Sequence, residues 1–175
     1  MAGAGTKGVV EHHLLAVLDT AYDHTSWHGV NLRGALRRVP LNMAVWRPRP
    51  GAHNVWELMV HAAYWKYAAW RRLSGAARGS FPLAGSNWFA RPTVRTARAW
   101  AGDLRLLDDM HRQLRDAVRH AVSTATSGRL DRPLPRGRTT PLALITGVAA
   151  HDLYHAGQIQ LLKKLFRVST ARGSR

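Results

Sequence analysis

Cysteine is absent from the 175 residues. That removes disulfides, thiolate metal ligands and a cysteine nucleophile together, so any metal site must be built from imidazole or oxygen donors. Carboxylates are scarce as well: ten Asp and Glu stand against 26 Lys and Arg, a net charge of +16. Long apolar runs are missing, none approaching the roughly 18 uncharged residues that suggest a membrane span. The start, MAGAGTKGVVEHHLLAVLDT, lacks the basic opening and unbroken apolar centre of a signal peptide, so the expectation is a cytoplasmic chain with no membrane partner. Strand-type alternation of apolar and polar residues is also missing, which leaves helices as the building material.

The positive charge is spread rather than clustered. Twenty-two of the 26 basic residues are arginine, scattered from Arg33 to Arg175, and the basic runs are pairs such as Arg37 and Arg38 or Lys163 and Lys164. The chain carries no helix-turn-helix pattern and no RNA-binding sheet signature. The charge is therefore expected mainly on solvated helix faces, with retention on nucleic acid that is salt-sensitive and indifferent to sequence.

At this length the chain fits one domain spanning 1–175, large enough for an apolar core of its own. Val10, Leu14, Val17, Leu18 and Ala21 recur at helical spacing over 9–22, and a short helical stretch is expected at 31–39 after the turn-prone SWHGVN. The RPRPGAHN segment breaks the pattern. Asn54 and Glu57 then form a capping-box pair that opens a helix over 54–73, with Val55, Leu58, Ala62, Trp65 and Ala69 as its expected buried stripe. After a loop at 74–92, Thr93 is the expected cap of a long helix along which Ala97, Trp100, Leu104, Leu107, His111, Leu114, Val118 and Ala121 step by threes and fours. Thr140 and Pro141 mark the start of the last helix, whose expected inward stripe is Leu144, Val148, His151, His155, Gln158, Leu162 and Leu165. The pattern predicts an all-α four-helix bundle with a flexible tail at 168–175.

In the string HDLYH, His151 and His155 stand four apart, close enough around one helix face for both imidazoles to reach one ion. Placed among Leu144, Val148 and Leu162, two imidazoles without partners would cost about 1–3 kcal/mol each, which a shared cation would relieve. His61 follows Leu58 by three and precedes Trp65 by four, at the border of the expected buried face, and is the third candidate. The alternatives are ordinary: helix capping or solvation for the pair, and a core-edge hydrogen bond for His61. His111 interrupts an apolar stripe and is either a buried, hydrogen-bonded core residue or a fourth ligand, base or supporting group. Asp152 and Gln158 are candidates to accept the outer N–H of a ligating histidine. His28 lies at a helix end, where capping or exposure competes with a place near the site; His53 is read the same way. The seven tryptophans fill the core, a dimer interface or a pocket over the ion.

The strings WHGVNLRGAL, HNVWELMVHAAYWKYAAWRRL and HDLYHAGQIQLLKKL together resemble the DinB superfamily, the DinB/YfiT-like metalloenzymes, over nearly the whole chain. The resemblance implies a four-helix bundle in which one histidine of the second helix and an HxxxH pair of the last helix bind one divalent ion, commonly nickel or zinc. Those positions fall on His61, His151 and His155. It further implies pairing into a homodimer and, in some members, transfer or isomerisation chemistry that uses a low-molecular-weight thiol such as glutathione, mycothiol or bacillithiol. Two function classes follow. One is a metal-dependent transferase or hydrolase acting on a small molecule, since three imidazoles leave positions open for water or substrate. The other is a non-catalytic stress-response binding protein with a structural metal and a basic surface for nucleic acid.

Overall fold

The structure is a computed structural model that describes residues 2–124, 129–135 and 137–173. It is all-helical, and among the described residues no strand forms. Among the described residues six helices follow in order: α1 Ala2–Tyr22, α2 Leu32–Ala35, α3 Leu41–Val45, α4 Val55–Ser74, α5 Ala97–Thr124 and α6 Pro141–Gly173, with a 3-10 turn at Arg129–Asp131. The four long helices close a ring of contacts: α1 packs on α5 and α6, and α4 packs on the same two. The short α2 lies against α6, and α3 lies against α4.

The helix starts follow from local chemistry. The Asn54 side chain accepts from the Glu57 amide at 2.8 Å and the Glu57 carboxylate accepts from the Asn54 amide at 3.4 Å, completing the predicted capping box. Thr140 Oγ1 accepts from the Ala143 amide at 3.1 Å, with Pro141 in the first helical position where its missing N–H costs nothing. The start of α5 differs from the expectation. Thr96, not Thr93, caps it, its Oγ1 accepting from the Ala99 amide at 3.2 Å. Gly75 ends α4 at φ +73, a left-handed conformation that a side chain would strain. α3 had no sequence-based expectation, and α6 continues to Gly173 through most of the segment expected as a flexible tail. Residues 174–175 of that segment lie outside the described residues.

Most of α4 is buried on every side, including Trp56, Met59, Val60, Ala62 and Ala63. The Trp56 ring packs edge-on against Trp100, and its Nε1–H donates to Asp103 at 2.7 Å. Two expected stripes are corrected. On α4, Trp65 is exposed whereas its neighbour Lys66 is fully buried. On α6, Val148, His155 and Leu162 are buried as expected, but Leu165 is exposed, Leu144 is only half-buried, and the buried face extends around the helix through Ile145, Ala149, Asp152, Ala156 and Ile159.

The buried polar residues gather into a layer between the helices. Lys66 Nζ bonds the Asp152 carboxylate, sits 3.3 Å from His111 Nδ1 and lies 4.5 Å above the Tyr22 ring. His111 stacks on Tyr22 with its Nε2 3.4 Å from Asp19, which Arg115 pairs at 2.6 Å. The Tyr22 hydroxyl donates to Asp108, which Arg33 clamps through two nitrogens at 2.8 and 3.1 Å. Three cations and three carboxylates thus offset one another while tying α1, α2, α4, α5 and α6 together.

Candidate metal centre

His61 comes from the middle of α4, and His151 and His155 from successive turns of α6. Because α4 packs on α6, the three rings meet. His151 Nε2 lies 3.1 Å from His61 Nε2 and 3.0 Å from His155 Nε2. One ligand nitrogen from each residue falls within 4.8 Å of the others, and among the described residues no fourth His, Asp or Glu joins them. His61 and His155 are buried; His151 is half-buried.

The outer nitrogens fix which atoms face inward. His61 Nδ1–H donates to the Asn87 carbonyl at 2.8 Å, and His155 Nδ1–H donates to Gln158 Oε1 at 2.7 Å. With Nδ1 carrying the proton, each Nε2 presents a lone pair toward its neighbours. Burial lowers the proton affinity of all three rings. It pushes His151 down to about 3, with His155 and His61 adding repulsion, pushes His155 down to about 4, and moves His61 in the same direction. At neutral pH all three are uncharged, the form that binds metal.

This donor set fits a divalent ion. Imidazole nitrogens held about 2.0–2.1 Å from one ion, at angles between a right angle and a tetrahedral one, stand about 2.9–3.4 Å apart. The separations of 3.0 and 3.1 Å fall in that range. A single proton on His151 Nε2 could serve only one of its two close contacts, whereas a cation serves all three lone pairs. The group can therefore hold a metal ion.

The walls come from tryptophans and from the loop joining α4 to α5. Trp88 is sandwiched between His53 and His61, its ring centroid 3.6 Å from the first and 3.8 Å from the second. Trp65 stands 6.3 Å from His61 and 6.0 Å from His151, and its Nε1–H donates to Asn87 Oδ1 at 3.0 Å. Asn87 adopts φ +63, a region costly for most side chains but tolerated by Asn. There its carbonyl holds His61 while its side chain holds Trp65. Tyr154, largely exposed, stands edge-on to His155 at 5.1 Å.

The other candidates separate clearly. Gln158 accepts from His155 Nδ1. Asp152 does not accept from a ligand histidine; its carboxylate is spent on Lys66. His111 is not beside the triad but within the buried ionic layer, pushed down to about 2 by burial and then by Lys66 and Arg115. His28 is exposed in the loop between α1 and α2, where the structure does not bring it to the triad. His53, read as a helix-end residue, bonds Glu57 at 3.0 Å and reaches the centre only through the Trp88 ring. Asn87 was missed because no periodicity marks a loop, whereas Trp88 is one of the seven tryptophans for which a pocket over the ion was an expected place.

No curated protein and no solved structure matches the chain. The family model for the DinB superfamily matches residues 24–159, a span that contains all three histidines. With well over half of its length covered by that match, the chain belongs to the DinB superfamily.

Proposed function

We propose that the protein is a metal-dependent enzyme acting on a small molecule, with one divalent ion held by His61, His151 and His155. The observation that carries this reading is the convergence of three Nε2 lone pairs, two of them set by partners on the outer nitrogen. Imidazole donors suit zinc and nickel. An ion bound there would supply Lewis acidity to a polar group of the substrate. Gln158 and the Asn87 carbonyl hold two rings in the ligating tautomer, so little reorganisation is needed when the site is filled. Trp65 and Trp88 cover one side and limit water there, while half-buried His151 leaves an approach for substrate. The lack of a fourth His, Asp or Glu donor among the described residues favours an open, reactive centre over a closed structural one. Transfer to or from a low-molecular-weight thiol, or hydrolysis, is the chemistry proposed, in a cytoplasmic homodimer. The pairing finds support in the exposed row Tyr154, Leu161, Leu165 and Val168 on α6.

The test is metal stoichiometry on protein purified without an affinity tag. Wild type should carry one ion per chain. His61→Ala, His151→Ala and His155→Ala should each lose most of it while keeping their helical circular dichroism, since two imidazoles compete poorly with buffer. The exposed residues His28 and His120 serve as controls when changed to alanine. Full occupancy in the three variants would refute the assignment.

A further inference from the structure

The centre does not open directly into a deep cleft, but one of its walls continues into one. Trp65 lines both the histidine group and a cleft of about 540 Å³ walled by Tyr67 and Phe81 and edged by Arg71, Arg72 and Arg78. The same three arginines line an adjoining cleft of about 870 Å³. Both volumes lie in the range of small-molecule sites.

The charge in this concavity is unbalanced. Among the described residues, eight carboxylates, all but Glu11 and Asp131, pair with a basic side chain, and none of the eight pairs with Arg71, Arg72 or Arg78. Arg71 and Arg72 occupy the last turn of α4, where a cation favours the helix end. That accounts for two residues and not for Arg78, which arrives from the following loop and faces the same space. Arg72 also reaches toward the loop before α6, its Nη2 3.2 Å from where a Cβ on Gly137 would stand. Three guanidinium groups brought together without carboxylates repel one another, and each presents a planar fork matched to carboxylate or phosphate oxygens.

We propose that this cleft binds the anionic end of a small-molecule ligand carrying two or more carboxylate or phosphate groups. The ligand's body would lie along Trp65, so that its reactive end reaches the histidines. From His61 to Arg71 the rise along α4 is about 15 Å, which sets the length of the molecule. Reach to the ion rests on the function proposed above; the anion site does not. Confinement of these arginines to a concavity favours a compact ligand over an extended polyanion such as nucleic acid.

Calorimetric titrations with inorganic pyrophosphate and with tricarballylate test the two oxyanion chemistries separately, and whichever binds more tightly names the group. Each is run on the purified full chain and on His151→Ala treated with a chelator, which removes ion chelation by the probe. Saturable one-to-one binding that survives in the metal-free variant is expected. It should weaken by about tenfold or more in Arg72→Gln/Arg78→Gln, the size of a lost charge-assisted contact, with helical content unchanged. Arg37→Gln/Arg167→Gln, at exposed sites elsewhere, should bind as wild type. An equal loss in that control would reduce the effect to diffuse charge and overturn the proposal. So would binding that vanishes with the metal, or a single-stranded oligonucleotide that saturates the chain where neither small anion does. Anion binding intact in a wild-type chain that carries no metal would sink the metal reading alone.

Discussion

Replacing Lys66 by methionine keeps the aliphatic stem of the side chain and deletes a charge that the fold has placed fully out of solvent. Its partner Asp152 is equally buried, and Asp152 Oδ1 has no hydrogen-bond partner among the described residues, so Lys66 is what the carboxylate depends on. Breaking a buried pair from one side costs about 3–5 kcal/mol, because the remaining charge has neither water nor a counter-ion. Against a total stability of about 5–15 kcal/mol that is a large fraction. Removing both charges in Lys66→Met/Asp152→Leu should recover most of the loss, since the pair is flanked by Tyr22 and His111 rather than by solvent. The measurement is urea unfolding by circular dichroism at pH 7 on chelator-treated protein, which keeps metal linkage out of the comparison. A single variant within about 1 kcal/mol of wild type, or a double variant no better than the single, would show that the pair is not the buried, mutually dependent unit described.

Two further changes probe the centre and the ionic layer. Gln158→Leu removes the acceptor at 2.7 Å from His155 Nδ1 and should weaken metal binding by roughly 10–100-fold in a chelator competition, with Gln158→Glu restoring it; equal affinity in all three would remove Gln158 from the site. His111, pushed to about 2 chiefly by burial, stays neutral in the fold while the unfolded chain takes up a proton below its ordinary value. Stability should therefore fall as pH drops from about 6.5, by about 2 kcal/mol at pH 5 from this residue. In His111→Gln the slope of stability against pH should be shallower by about one proton, and an unchanged slope would contradict the buried, neutral state.

The ends of the helices were legible because capping is local chemistry. Asn54 with Glu57 and Thr140 with Pro141 sit where the sequence places them. Thr96 displaced Thr93 as the α5 cap because several polar residues compete at that boundary and tertiary packing decides among them. The interior was less legible. Periodicity assumes one apolar face per helix, and α4 has contacts with α5, α6 and α3, so residues all round it are buried and the stripe ceases to discriminate. Trp65 then falls in the expected stripe and Lys66 outside it, whereas the structure exposes the first and buries the second.

On α6 the discrepancy bears on the metal centre itself. The expected stripe runs through both histidines, but the buried face is centred on Asp152, with Ile145, Ala149, Ala156 and Ile159 beside it. At 100° per residue Asp152 lies about 100° around the helix from His151 and about 60° from His155. His151 and His155 therefore stand on the flank of the helix, at the seam with α4, rather than at its innermost line. Inward burial would have shut them among apolar side chains; outward exposure would have left them solvated and unconstrained. The seam supplies His61 from the facing helix, buries two rings enough to keep them neutral, and leaves His151 half-open. Leu144 and Leu165 mimic a continuation of the histidine row in sequence, yet one is half-buried and the other exposed. The histidine spacing was thus legible in the sequence, while its place on the helix was read further inward than the structure sets it. That rotation separates rings closed in a core from a histidine group with one member half-open to solvent.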